Sequence, residues 1–325
     1  MPESAASLML SANDGLVIDC AFGTAGHSCP QAEAVWTWKN YALANAHARR
    51  SIEAHPTLPE PARATLLSPD DPLHIDYNDG WLHGAILDAS HKHYAGAGEF
   101  GYFRFAFNEV SLVTARRHPL QSVDDVWRMV ESRRKSFRRP AELVEAIIVH
   151  ALERLSREMA DLSVELDAIE DNVVGGSWHR EGDRLAVSRR KLIHLHRHAA
   201  AIRAMFRHLE HLHQDELTQE LADMIVRLAN RSVALLRESE QMQSRARLLQ
   251  DEMMARLTAE SNRLLYVLSM LTAVLLPMTI ISGLFGMNVD GMPFADNPAG
   301  FWSISAISAL VAAGVFLAMR HIGRR

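Results

Sequence analysis

Apolar residues recur along this chain in three rhythms, and each rhythm predicts a different kind of element. Up to residue 139 they come in short runs broken by Gly, Pro, Asn and Asp. LVIDCAF (16–22), VWTWK (35–39), LHIDY (73–77), GWLHGAILDA (80–89), FRFAF (103–107) and EVSLVTAR (109–116) are rich in β-branched and aromatic residues and predict strands. TLPEPARATLL (57–67) and SVDDVWRMVESRR (122–134) predict helices, the second with Ser122 as its N-cap and Asp125 three residues on. The mixture implies an α/β domain with a largely antiparallel or mixed sheet.

From Pro140 the rhythm becomes helical almost without interruption. A first helix is expected over 141–173, broken at Gly175-Gly176, and a second over 183–212. A third begins near Asp215 and meets no proline or glycine until Pro277. Carried through to Phe285, it would be a rod of about 105 Å at about 1.5 Å per residue. A rod of that length needs neighbours, which implies self-association.

The third rhythm is a loss of polarity. LLYVLSMLTAVLLPMTIISGLF (264–285) and FWSISAISALVAAGVFLAM (301–319) contain no charged residue, and each is of a length to cross a bilayer. Arg256 and Arg263 precede the first run, Arg320, Arg324 and Arg325 follow the second, and the intervening loop holds Asp290 and Asp296 but no Lys or Arg. By the positive-inside rule both termini are expected to be cytoplasmic and the loop outside. Tyr266 and Trp302 stand near span ends, where aromatic belts form. MPESAASLML has neither a basic start nor a long apolar stretch, so no cleavable signal peptide is expected.

These rhythms define an α+β membrane protein. Its expected parts are a cytoplasmic α/β domain (1–139), a long-helix and stalk region (140–263), a first transmembrane helix (264–285), an outer loop (286–300), a second transmembrane helix (301–319) and a basic tail (320–325).

Within the rod, steps alternating between four and three residues visit Asp251, Ala255, Thr258, Asn262, Leu265, Ser269, Thr272, Leu276, Thr279 and Gly283. A period near 3.5 places them on one seam of a left-handed bundle. In the membrane this seam collects hydroxyls and a glycine, while the other faces are mainly Leu, Ile, Val and Met. Hydroxyls bonding back to their own helix, with Gly283 allowing close packing, would be a purely structural use. Alignment with Asn262 and Asp251 below the membrane favours a water-accessible line. Two spans cannot enclose a pore, but several copies with this seam inward can. Pro277 lacks an amide proton and clashes with the carbonyl of Ala273, giving either a gating bend or a tolerated kink.

Composition narrows the function by exclusion. A formal net charge of −5 and Arg clusters at 133–134 and 138–139 with acids nearby give no reason to expect nucleic acid. Cys20 and Cys29 match no close zinc or redox spacing, which fits a reduced compartment for the N-terminal part. There is no phosphate loop, nucleophile elbow or paired-carboxylate motif, so an enzyme is not expected. Among 17 histidines, His194/His198 and His208/His211 have i,i+4 and i,i+3 helical spacings that could share a metal ion, for instance to sense cytosolic metal. Exposed histidine-rich helix surface is the plain alternative.

Gly286-Met287-Asn288 follows LLPMTIISGLF and precedes a short outer loop and a second span. In that position the tripeptide resembles the CorA family of divalent-metal transporters, and the similarity covers the architecture of the whole chain. The continuation Asn288-Val289-Asp290-Gly291-Met292-Pro293 resembles the ZntB-like zinc branch, with Asp290 in place of the first of two glycines. LVTARRHPL (112–120) is similar to the corresponding strand and turn of that branch. The resemblance implies a homopentamer in the inner membrane with a funnel-shaped cytoplasmic domain. It also implies a central pore lined by the first span, with Asn288 ringing the outer mouth, Gly286 and Met287 shaping it, and Thr272, Leu276, Thr279 and Gly283 lining the pore below.

The expected cargo is a divalent cation, zinc first, with magnesium, cobalt, nickel and cadmium as further candidates. No cofactor is expected, and the expected partners are the protein itself and lipid. An amide oxygen ring holds a hydrated dication through its water shell, and Asp290 and Asp296, multiplied by symmetry, would concentrate cations at the mouth. The alternatives are a magnesium, cobalt or nickel channel of the same fold, and a membrane-anchored metal sensor that does not transport.

Overall fold

The short apolar runs of the first half build one mixed sheet. In the computed structural model, which describes residues 15–70, 73–90, 100–212, 217–287 and 299–322, the strands are β1 (Leu16–Phe22), β2 (Ser28–Cys29), β3 (Trp36–Ala42), β4 (His74–Asn78), β5 (Trp81–Ala89), β6 (Phe100–Phe107) and β7 (Ser111–Arg116). Their spatial order is β2-β1-β3-β7-β6-β5-β4. Only β3 and β7 run parallel; the other neighbours are antiparallel. A parallel pair needs a crossover, and α1 (Ala46–Glu53) and α2 (Glu60–Leu67) lie within the connection that provides it. Neither β2 nor α1 is evident in the sequence. β2 is two residues long, and α1 is eight, capped by Asn45 accepting from His47 N at 2.9 Å.

Strand alternation divides the core between two faces. Val113 and Ala115 of β7 join Tyr41, Trp81, Ala106, Ile52, Ala62 and Leu66 in one cluster under α1 and α2. The intervening Thr114 points to the other face, where its hydroxyl accepts the indole N–H of Trp38 at 2.9 Å. Trp38 in turn meets Trp127 edge-on, and Trp127 lies on α3 (Gln121–Glu131), which with α4 (Pro140–Val174) covers that face.

The start of α3 corrects the expectation of Ser122 as N-cap. The cap position is Leu120, which offers no side-chain bond, and Ser122 lies inside the first turn, fully buried. The capping acceptor comes instead from the sheet. Asp88 of β5 accepts Ser122 N at 3.1 Å and Ser122 Oγ at 2.6 Å. A carboxylate placed on orphan N–H groups serves a helix N-terminus as well as a local cap does. Burial pushes the Asp88 acid up to about 6, against the opposing pull of these bonds and of Arg154. Asp125, expected to pair with the cap, instead takes ion pairs from Arg154 and Arg128.

Beyond α4 the chain turns at Gly175-Gly176 into α5 (Glu181–Leu212), then enters α6 (Gln219–Phe285) and finally α7 (Gly300–Ile322). The expected start of α6 at Asp215 lies outside the described residues. Buried positions along α6 read Leu228, Ser232, Leu235, Ser239, Met242 and Ala246, and along α5 Leu185, Ser188, Leu192, Leu195, Ala199, Ile202, Met205 and Leu209. Steps of three and four mark knobs-into-holes packing. Ion pairs Arg139–Glu220, Glu145–Arg227, Glu153–Arg231 and Asp167–Arg245 rise together in number, so α4 and α6 run parallel. Up to Ala246, therefore, the rod finds its neighbours within its own chain rather than needing other copies.

Contacts divide the chain into two compact units, Met1–Arg247 and Leu248–Arg325. The first holds the sheet and its helical layers together. The second consists of the end of α6 with α7, both long and apolar enough to cross a membrane.

Candidate ion pathway

In the second unit, α6 and α7 pack through a restricted face of each. Tyr266 donates its hydroxyl to the carbonyl of Met319 at 3.1 Å. Met270, Ala273, Val274, Pro277 and Ile281 are the partly buried residues of this stretch of α6, and Ile304, Ser308, Ala312, Val315 and Met319 answer them on α7. Steps of three and four on both helices define a stripe, and Ser308 with Ala312 allows close approach.

The polar seam faces elsewhere. At about 100° per residue, Leu265, Ser269, Thr272, Leu276, Thr279 and Gly283 centre roughly 130° around α6 from the stripe on α7. All six are exposed. Exposure alone does not single them out, because Leu264, Leu268, Leu271 and Leu275 are exposed as well. Chemistry does: three of the span's four aliphatic hydroxyls share this face, and Ser282 is the one off it.

The threonine hydroxyls have a fixed polarity. Thr272 Oγ1 donates to Leu268 O, and Thr279 Oγ1 to Leu275 O, each at 2.9 Å. Thr258, lower on the same line, donates to Met254 O at 2.8 Å. The structural use of these hydroxyls is thus realised, and it also orients them. With each proton turned to its own helix, only oxygen lone pairs remain on the outer side. A file of acceptors suits a hydrated cation, whose shell presents hydrogens.

Pro277 lies within α6 without ending it, and its missing N–H leaves the Ala273 carbonyl without the usual helical donor. The helix closes at Phe285. Gly286 N bonds Ser282 O at 2.9 Å, and Met287 N reaches Leu284 O at 3.4 Å. Apart from its chain neighbours and the local backbone of its own helix, no described atom lies within 4 Å of a Cβ built on Gly283. Asp251 and Asn262 extend the seam below the span and are exposed. Asn288, Asp290 and Asp296 lie outside the described residues.

The histidines of α5 separate by role. His196 donates from Nδ1 to Ser239 Oγ at 3.0 Å, because Ser239 spends its own proton on Leu236 O. It therefore fastens α5 to α6. His198 meets the ring of Phe100 edge-on and has its Nδ1 buried without a hydrogen-bond partner. Burial first, then His194 and Arg197, hold its proton affinity below the ordinary range. His194 and His208 are exposed, and the side chain of His211 is outside the described set. Among the described residues no three His, Cys, Asp or Glu side chains gather as a metal cluster. Burial also acts strongly on two groups of β5, His83 and Asp88, which sequence reading missed because neither stands in a motif and their partners are distant in the chain.

The profile of the family described as "CorA-like Mg2+ transporter protein" matches residues 33–321. Over 192 residues the chain is 30% identical to the "Divalent cation transporter CmaX" of Pseudomonas aeruginosa, covering 59% of this chain and 58% of that protein. Over 173 residues it is 28% identical to the "Zinc transport protein ZntB" of Pectobacterium atrosepticum, covering 53% and 51%. The chain thus aligns with little more than half the length of these curated relatives. Among solved structures, "structure of the full-length CmaX protein" superposes with a TM-score of 0.76 at 23% identity, covering 95% of this chain and 98% of that one.

Proposed function

From the premise that this chain belongs to the CorA-like Mg2+ transporter family, we propose that it carries divalent metal cations across the inner membrane, zinc foremost, through the centre of a homopentamer. One observation carries the reading: the polar seam of α6 is turned away from α7 and ends where Gly286-Met287-Asn288 begins. An anchor helix needs no such face, whereas a pore assembled from several copies needs one on each. The transport reading is also what distinguishes this protein from a sensor held at the membrane.

In this reading five copies bring five seams together. The lone pairs of Thr272 and Thr279 line rings of neutral acceptors that bind water hydrogens, Leu276 narrows the path between them, and Leu265 narrows it on the stalk side. Asn288 rings the outer mouth and holds the incoming ion through its hydration shell. Asp290 and Asp296 raise the local cation concentration, an effect that added salt screens. Zinc stripped of water prefers imidazole or thiolate, and the span contains neither His nor Cys, so the ion passes hydrated and discrimination among dications is loose. Both termini lie in the cytoplasm, as the basic residues flanking the spans require.

Zinc is preferred because the loop after Asn288 resembles the ZntB pattern and a zinc transport protein is among the relatives. A magnesium, cobalt or nickel channel is the second reading, favoured by the family's own description. Proteoliposomes with a zinc-sensitive and a magnesium-sensitive dye decide between them, using the wild type and Asn288→Ala. Zinc influx that exceeds magnesium influx and collapses in Asn288→Ala is the expected result. Equal fluxes remove the zinc preference, and no flux of any dication rejects transport.

A further inference from the structure

Two imidazoles from neighbouring strands converge on one hydroxyl. Thr65 Oγ1, on α2, lies 2.9 Å from His83 Nδ1 and 2.9 Å from His74 Nε2. Asp76 pairs directly with His83 across β4 and β5, and His74 stands two residues before Asp76, so all three project toward the α2 face. The two rings are 6.4 Å apart between centroids and nearly perpendicular. His83 and Thr65 are buried, while His74 and Asp76 are half-buried at the sheet edge.

We propose that His74 Nε2, His83 Nδ1 and Thr65 Oγ1 form a binding site for a zinc-class divalent cation, at the junction of α2 with the β4–β5 edge and separate from the ion pathway. Ligands of one ion at bond lengths near 2.1 Å stand about 3–3.4 Å from each other, and the two nitrogen-to-oxygen separations are 2.9 Å. Closing the nitrogens on an ion requires movement chiefly of His74, the less buried of the two. His83 has the second partner that metal-bound histidines use. Its Nε2 is 3.2 Å from the side-chain amide of Asn78. With the amide turned to present its oxygen, Asn78 accepts from Nε2–H and directs the Nδ1 lone pair at the site.

The surroundings favour the neutral imidazole that metals require. Burial lowers the proton affinity of His83 to about 4, assisted by His74 and opposed by Asp76. Asp76 also adds negative potential beside an arriving cation. The backbones are closely held: a Cβ on Gly84 would lie 2.5 Å from the carbonyl of His74. Two nitrogens and a hydroxyl exclude magnesium, which prefers an all-oxygen octahedron. Among the described residues no third His, Cys, Asp or Glu completes the set, so binding is weaker than at a four-ligand structural zinc.

The test titrates full-length protein in detergent micelles with Zn2+ by calorimetry, and with Co2+ by visible absorption. In the wild type a site insensitive to excess Mg2+ is expected, with Co2+ ligand-field bands. His83→Gln and His74→Gln should each weaken that site by about tenfold or more, at least as much as loss of an outer-shell partner does, and abolish the bands. His194→Ala should leave both unchanged. A folded His74→Gln or His83→Gln that keeps the affinity and the bands overturns the assignment. Should His83→Gln fail to fold, His74→Gln decides alone, since its side chain is half-buried. Flux enters none of these readouts, so the result stands apart from the transport reading.

Discussion

His83 and Asp88 project from opposite faces of β5, His83 toward Thr65 of α2 and Asp88 toward Ser122 of α3, and burial displaces their proton affinities in opposite directions. The acid of Asp88 rises from 3.8 to about 6, so between those values the folded state holds more protons than the unfolded chain. Its contribution to stability therefore falls as pH rises through that window. His83 falls from 6.5 to about 4, so there the unfolded chain holds more protons and stability rises with pH. Each slope amounts to about 3 kcal/mol at about 1.36 kcal/mol per pKa unit, and the two oppose each other. Guanidinium unfolding of micellar protein, followed by tryptophan fluorescence, should show a shallow profile between pH 4 and pH 6 in the wild type. Asp88→Asn should unmask the rising limb and His83→Gln the falling one. Wild-type profiles in both variants would refute the compensation.

A second prediction concerns the strap between the sheet and α4. Gly26 has φ +75° and accepts Phe137 N at 2.7 Å, while the indole of Trp36 donates to Phe137 O at 3.3 Å. A Cβ at Gly26 would meet the Phe137 carbonyl carbon at 2.8 Å. Strain in the left-handed region adds to that collision, so Gly26→Ala should cost about 2 kcal/mol or more. The midpoint of chemical unfolding measures it. Gly80, also at positive φ but with nothing within 4 Å of a Cβ, should show only the smaller backbone penalty when changed to Ala.

The seam makes a prediction that separates function from stability. Thr272→Val and Thr279→Val keep the side-chain shape and remove the outward oxygen, while the lost back-bond contributes little to a helix that is already formed. Dication flux in proteoliposomes should drop severalfold with the thermal transition almost unmoved. Ser282→Ala, which removes a hydroxyl off the seam, should leave flux intact. Equal losses from Ser282→Ala and Thr279→Val would remove the argument for a pathway on that face.

What the sequence made legible was whatever depends on spacing along one helix or strand. The run LVIDCAF became β1, the Gly175-Gly176 break falls between α4 and α5, and the seam of α6 lies on a face that α7 leaves uncovered. What stayed hidden depends on residues far apart in the chain. Ser122 has the local signature of an N-cap, but the acceptor on its amide is Asp88, 34 positions earlier on another element. The Thr65 junction joins His74 and His83 only once β4 and β5 pair under α2. The expectation that the rod needs other copies along its length held no information about α4 and α5, against which Met224 to Ala246 are buried within the same chain.

Adjacent residues of α6 provide the last prediction, because they hold the helix in place by different physics. Arg227 makes a two-pronged pair with Glu145 at 2.8 Å for each prong, and its guanidinium is held above its ordinary range chiefly by that hydrogen bonding. Its side chain is nevertheless 56% exposed, where water and ions screen the attraction and an isolated pair contributes less than about 1 kcal/mol. Leu228 is fully buried, and truncating such a side chain leaves a cavity worth about 2–5 kcal/mol. Leu228→Ala should therefore destabilise the protein several times more than Arg227→Ala. Thermal melts at low salt and in 1 M NaCl, where the Debye length shrinks to about 3 Å, should erase the Arg227→Ala effect and preserve that of Leu228→Ala. If salt leaves the Arg227→Ala loss intact, the guanidinium stabilises the helices by packing its methylenes rather than by its charge.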